Sequence, residues 1–402
     1  MKLRKSVKNA MKVLAIDKLR RNQLKPINAI LDRHDTMVIA PTSFGKSVIY
    51  QIPALAQEDG ITVVIEPLIA LMHDQVQKLK TLDIPAAYLD STQSKTDRKS
   101  VMADLQNGSI KILYIAPERL ETDILSFIEE FNRIRIIVVD ECHCVTTWGS
   151  TFRESYLSIG KYIDSLNHRP VIVALSATAV PEDRSQIMEL LSMRDTKVFE
   201  MSLYRSKLSF MKKEVTSRLA QLKALKKYLK KYHRNTTIIF CNTIDAVENV
   251  AKELKKRYPN DVMTYHSRSK AQEQDMISGK KHIIVATSAL GMGVDVRNVD
   301  LVIHFNMPLS LADYYQMAGR AGREGQHARS ILLYNSDDYK FNRFLLSDIK
   351  DKKAKRRALD RLDAMKEFCD DEEHCMVATM LNALGDPFEN TCRYCTNCQK
   401  GR

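Results

Sequence analysis

Short apolar runs recur along the first half of the chain, bounded by polar or turn-forming residues: TMVIA (36–40), ITVVIE (61–66), KILYIA (111–116), IRIIVVD (134–140) and VIVALSAT (171–178). Runs of this length, rich in Val and Ile and apolar on successive positions, predict strands buried on both faces, as in a parallel sheet covered by helices. The stretches between them have helical periodicity, so residues 1–204 are expected to form one α/β lobe. A second series, TTIIFCN (236–242), DVMTYHS (261–267), HIIVATSAL (282–290), DLVIHFN (300–306) and SILLYN (330–335), predicts a second lobe over 205–340. Its first part, 205–235, is rich in Lys and Leu and is expected to connect the lobes and supply a helix. Residues 341–402 change to helical periodicity and then to cysteines, the pattern of a small appended metal module.

Composition narrows the class. A chain of 402 residues with 44% hydrophobic content can bury more than one core. No apolar run approaches membrane-spanning length, and the basic N-terminus lacks the apolar centre of a secretory signal, so an intracellular, cytoplasmic protein without a membrane partner is expected. The net charge of +13 favours polyanionic partners without specifying one. Of eight cysteines, five lie between Cys369 and Cys398. In an intracellular chain such a cluster points to metal before disulfides, while Cys142, Cys144 and Cys241 read as packing residues.

Three motifs carry chemistry. In MVIAPTSFGKSVIY a strand runs through a small-residue loop (Thr42, Ser43, Phe44, Gly45) into a helix start at Lys46 and Ser47. Loop and helix N–H groups there can cradle phosphates, with Lys46 reaching the β and γ phosphates and Ser47 holding Mg2+. Ala40 stands where the strict loop pattern has its first glycine, and a fortuitous surface turn is the alternative. Asp140 and Glu141 close a buried strand, where ligands of open α/β sheets collect. Asp140 suits magnesium and Glu141 the attacking water. In YYQMAGRAGREG, Arg320 and Arg323 are three apart and are expected on one helical face, aimed at a phosphate; a basic surface helix is the alternative.

Together these residues resemble the ordered motifs of a superfamily 2 helicase, specifically the RecQ family. LRRNQLKPI (19–27) resembles the adenine-reading motif, and APTSFGKS, EPLIALMHDQV (66–76), DECH, SAT (176–178), IIFCNT (238–243), the run 285–308 and QMAGRAGR resemble the remaining motifs in order. The resemblance implies two tandem RecA-like lobes plus a helical zinc module. It also implies ATP recognition by Arg20 and Gln23, Asp295 near the ribose, and His143 and Gln316 coupling the lobes. Ser176 and Thr178 would link hydrolysis to movement. Ile16 stands where the family often has an aromatic that stacks on adenine, and the chain between His266 and Ile283 is several residues shorter than usual. CVTTWGSTFRESY (144–156) is similar to the family's aromatic-rich loop; its Trp148 and Phe152 would stack on bases while Arg153 pairs with phosphate.

Cys375, Cys392, Cys395 and Cys398 are spaced C-x16-C-x2-C-x2-C, a set of four thiolates suited to structural zinc, with an iron–sulfur cluster as the competing reading. Cys369 and His374 are expected to be nonligands. Between the first two cysteines of the set, Met376, Met380, Leu381 and Leu384 mark a helix ending at Gly385. The chain stops soon after this module, with no room for the winged-helix and helicase-and-RNase-D C-terminal domains of longer relatives.

The activity that the resemblance implies is that of an ATP-driven 3′–5′ helicase, expected to be monomeric, acting on single-stranded and tailed duplex DNA in repair or recombination, with ATP, Mg2+ and Zn2+ as cofactors. An RNA-directed helicase and an ATP-gated nucleic-acid-binding adaptor are the alternatives. KDKKAKRR (350–357) is either a phosphate contact or a solvated helix face.

Overall fold

A computed structural model describes residues 3–42, 44–122, 124–144, 150–178, 180–233, 235–268, 282–291 and 296–400. The chain divides into two compact units, residues 1–202 and 203–402.

The first unit is built on a seven-stranded parallel sheet: β1 (Thr36–Ile39), β2 (Ile61–Ile65), β3 (Ala86–Leu89), β4 (Ile112–Ile115), β5 (Ile134–Val139), β6 (Val171–Ser176) and β7 (Lys197–Glu200). Their spatial order is β3-β4-β2-β5-β6-β1-β7. Because β1, β2, β5 and β6 are buried on both faces, their side chains serve two cores. Met37, Ile39, Ile137 and Val139 point into one, and Val38, Ile136 and Val138 into the other. Each such fully buried aliphatic contributes about 1.5–3 kcal/mol. Pairings of Ile65 with Val139, Val139 with Ala174 and Ile39 with Ser176 bring the C-terminal ends of β2, β5, β6 and β1 side by side.

The second unit holds a six-stranded parallel sheet: β8 (Leu208–Glu214), β9 (Thr236–Phe240), β10 (Val262–Tyr265), β11 (Ile283–Ala286), β12 (Val299–His304) and β13 (Ala328–Tyr334), in the order β10-β11-β9-β12-β13-β8. The helix expected within 205–235 is Arg218–Tyr232, but the sequence reading missed that 208–214 before it is the edge strand β8, paired to β13 along its whole length. The lysines of LSFMKKE obscured the strand. Lys212 is buried there nonetheless, since its ammonium donates to the carbonyls of Phe368, Cys369 and Asp371.

The C-terminal segment belongs to this unit. Helices Ser336–Leu345, Lys352–Asp370 and Met376–Ala383 follow β13. Tyr334 Oη donates to Cys369 O (2.6 Å), the Lys212 amide to Thr396 Oγ1 (2.9 Å), and Tyr204 stacks on Phe388. Met376, Met380, Leu381 and Leu384 are buried as their spacing predicts, and Gly385 closes the helix with φ of +78°.

Candidate nucleotide and zinc sites

The phosphate-loop residues follow β1, which lies between β6 and the edge strand β7 of the first sheet. Gly45 adopts φ +81°, ψ +50° and caps the helix Lys46–Ala56 without a side-chain hydrogen bond. That left-handed backbone favours glycine, and a Cβ there would also meet Gln23 Nε2 at 3.0 Å. Gln23 is buried and binds this loop: Nε2 donates to the carbonyls of Phe44 (3.0 Å) and Gly45 (3.2 Å), while Oε1 accepts from the Arg20 amide (2.8 Å). Both ends of the Gln23 amide are therefore engaged with protein. Arg20 is exposed, Thr42 and Ser47 are half-buried, and Ile16 packs on the core.

Lys46 is buried, with its Nζ 3.4 Å from Glu141 Oε1. Burial works against its charge, but the carboxylates of Glu141 and Asp140 outweigh that and hold its pKa above the ordinary lysine value. Burial pushes Asp140 up to about 6, opposed by Lys46 and reinforced by Glu141. Glu141 has φ +46°, an uncommon conformation for a non-glycine residue and one that clusters at functional sites. Its amide donates to Asp140 Oδ1 (2.8 Å). His143 Nδ1 lies 3.3 Å from Glu141 Oε2 and 3.0 Å from Ser176 Oγ, and that hydroxyl accepts from the Thr178 amide (3.1 Å). Burial alone would depress the imidazole; the Cys144 sulfur and the Glu141 carboxylate raise it to about 10.

Glu66, which the sequence reading did not single out, closes β2 beside Asp140 and is buried, accepting from the Leu68 amide (3.1 Å). Burial, then the charges of Asp140 and Glu141, push it well above the usual carboxylate range. Three carboxylates thus stand near one lysine, and burial first, then repulsion among them, holds Glu66 and Asp140 high. That donor set fits a divalent cation.

In the second unit Gln316 is buried in the helix Leu311–Ala318, and its Nε2 has no hydrogen-bond partner among the described residues. The expectation that Arg320 and Arg323 share a helical face is corrected: the helix ends at Ala318, and the arginines sit in successive turns, with the amides of Arg320 and Ala321 bonding to Met317 O and Ala318 O. Gly322, at φ +65°, turns its amide to Val299 O. A Cβ on Gly322 would meet Gln326 O and Ala328 Cβ at 3.0 Å. Arg205, also missed, braces these turns by donating to the carbonyls of Gly319, Ala321 and Gly322. Nothing local in the sequence ties it to them.

Cys375, Cys392, Cys395 and Cys398 come together with all four sulfurs within 4.8 Å of one another. Thiolates about 2.3 Å from a tetrahedral zinc stand about 3.8 Å apart, so the set fits that ion. The Cys392 amide donates to Cys375 Sγ and the Cys395 amide to Cys392 Sγ, both at 3.3 Å. Asn397 Nδ2 donates to Asp371 O and His374 O, tying the last turn to the approach to Cys375. Cys369 and His374 stand outside the set. Ser43, Trp148, Asp295 and the shortened stretch 269–281 lie outside the described residues, as do the side chains of Phe152 and Arg153.

Three family models match along the chain: DEAD/DEAH box helicase over residues 20–187, helicase conserved C-terminal domain over 220–325, and RecQ zinc-binding over 336–399. The ATP-dependent DNA helicase RecQ of Synechocystis is 34% identical over 341 residues, covering 82% of this chain and 71% of its own. The chain belongs to the RecQ family. The Bacillus subtilis RecQ helicase is 34% identical over 394 residues, 96% of this RecQ-family chain and 65% of the relative. Among the first such relatives the chain spans 61–65% of their length. The DEAD-box helicase Mss116, bound to single-stranded RNA, has the same fold at a TM-score of 0.70 and 17% identity, over 95% of this chain and 84% of its own. The zinc-binding match and the four gathered cysteines make the C-terminal segment of this RecQ-family chain a zinc-binding module. Among the described residues, no helix is long and apolar enough to cross a membrane.

Proposed function

We propose that the chain is a DNA-stimulated ATPase that translocates 3′ to 5′ along single-stranded DNA and displaces the complementary strand, in repair or recombination. The observation that carries the reading is the Lys46 ammonium, 3.4 Å from Glu141 at the helix end capped by left-handed Gly45, with Asp140 beside it.

The N-terminus of Lys46–Ala56 presents main-chain donors to the phosphates of ATP, and Lys46 exchanges its contact with Glu141 for the β and γ oxygens. A bound magnesium ion would be held by Asp140 and Ser47 and would neutralise charge developing on the phosphates. Released from Lys46, Glu141 orients and polarises the attacking water. Arg320 and Arg323 contribute positive charge in the transition state, and Gln316 offers its Nε2, which has no partner among the described residues, to the reacting assembly. Arg20, Gln23, Thr42, Ser43, Phe44 and Asp295 complete nucleotide recognition; Gln23 does so through the loop it braces. The Glu141–His143–Ser176–Thr178 chain links the water-activating acid to the segment after β6, a route by which hydrolysis can alter grip on a strand. Trp148, Phe152 and Arg153 supply base stacking and phosphate pairing. Cys375, Cys392, Cys395 and Cys398 hold one zinc. The protein works as a cytoplasmic monomer, associated with the nucleoid if its source is bacterial.

The test is ATP-dependent strand displacement on DNA and RNA duplexes carrying a 3′ or a 5′ tail, with Lys46→Ala as control. Displacement from 3′-tailed DNA alone, lost in the variant, is expected. DNA-stimulated hydrolysis without displacement would replace the helicase by a translocase or ATP-gated binder, and preference for RNA would overturn the substrate.

A further inference from the structure

The helix Ser336–Leu345 places Phe341, Phe344 and Leu345 at i, i+3 and i+4, on one face. All three are exposed, Phe344 by 68%. Exposed large apolar side chains are scattered singly elsewhere among the described residues, so a stripe of three within five positions is the feature to explain.

This helix and the next, Lys352–Asp370, form a hairpin. Tyr339 Oη donates to Asp363 Oδ1 (2.6 Å), and Lys355 Nζ donates to Ser347 O (2.7 Å). The two bonds share one antiparallel offset, which sets Phe344 and Leu345 level with Ala358 and Arg357, one turn from the hairpin tip. Residues 340–357 contain eight lysines and arginines against two aspartates. Asp351 is one of those aspartates, and its carboxylate caps the second helix by accepting from the Ala354 amide. Lys352, Lys353 and Arg356 are exposed at spacings that put them on one helical face. The tip therefore joins exposed aromatic rings to concentrated, accessible positive charge.

We propose that this tip is a second nucleic-acid contact, in which Phe344 stacks on an unpaired base while Lys350, Lys352, Lys353 and Arg356 take the adjoining phosphates. Charge complementarity selects the partner. A protein or lipid surface would also cover the aromatic stripe, but a polyanion with flat, stackable groups answers both halves of the patch. The inference rests on the nucleic-acid reading above and adds a site outside the motor motifs.

The full chain, its Phe344→Ala variant and its Lys352→Glu/Lys353→Glu/Arg356→Glu variant would be titrated against a fluorescently labelled 3′-tailed DNA duplex at several salt concentrations. All the altered side chains are exposed, and matching thermal midpoints would verify folding. Phe344→Ala should weaken binding about 5- to 10-fold with little change in salt dependence, and Phe344→Trp should restore it. The charge variant should flatten the log–log salt slope by about 2, since each lost phosphate contact removes about 0.7. Wild-type affinity and salt slope in both variants would overturn the proposal, including when they alter self-association, which would assign the patch to a protein partner. If the unaltered chain bound no DNA at all, the underlying nucleic-acid reading would fall, a result distinct from intact binding in the variants.

Discussion

His143 and His304 are both buried, one in each unit, and their environments drive them in opposite directions. His143 lies between Glu141 and Ser176 at the polar strand ends of the first sheet and is raised to about 10. His304 closes β12 against the rings of Phe240 and Tyr314, neither of its nitrogens has a hydrogen-bond partner among the described residues, and burial pushes it down to about 3. The contrast teaches that loss of solvent does not decide the charge of a buried imidazole; the polar partners do, here the Cys144 sulfur first and the Glu141 carboxylate next. One histidine belongs to a charge network that can do work, while the other is a neutral packing group whose ring could not ionise without cost.

Removing the acid from the first environment should have the largest effect. Glu141→Gln should lower ATP turnover about 10²- to 10⁴-fold while leaving nucleotide binding, read by a fluorescent analogue, near wild type. Next comes acid stability. The folded pKa of His304 lies below its unfolded value, so its contribution is complete above about pH 6.5 and is lost as pH falls toward about 3, at about 1.4 kcal/mol per pH unit. Urea unfolding of the second unit at pH 7.5, 6 and 5 should show this loss, and His304→Gln should reduce the slope; an unchanged slope would break the comparison. Lys212 is a buried charge satisfied by three main-chain carbonyls rather than by an acid. Lys212→Ala should cost about 1–3 kcal/mol in the same unfolding assay by leaving those carbonyls unpaired. The smallest effect is expected from Ser176→Ala: basal turnover within about 3-fold of wild type, with most of the stimulation by single-stranded DNA gone, because the link from His143 to the Thr178 amide is cut.

The sheet centres were legible in the sequence because strands covered on both faces must be apolar at successive positions. Apart from β10, the edge strands were not: β3 is short, β7 is largely exposed, and β8 mixes apolar residues with lysines. The zinc set was readable from spacing, since four thiolates at short intervals have few competing uses. Lys46, Asp140 and Glu141 were readable as chemistry, but the strained turn at Glu141 and the proximity of Glu66 depend on strand register, which only the sheet supplies. The error over Arg320 and Arg323 came from extending helical periodicity past Ala318, where Gly319 and Gly322 permit tight turns braced by Arg205. The partner that closes those turns lies more than a hundred residues away.

The clamp between β8 and the zinc module has a consequence for biosynthesis. The Lys212 amide meets the Thr396 hydroxyl across 184 positions, and the ammonium of the same lysine is capped by carbonyls from 368 to 371. A ribosome delivers the whole first unit early enough for it to fold as synthesis continues. The Lys212 contacts on the edge of the second sheet, in contrast, form only after residues 368–396 have left the exit tunnel. Until then water solvates the ammonium and the amide of Lys212, so residues 368–396 act as the fastening of a lobe whose first strand was made long before.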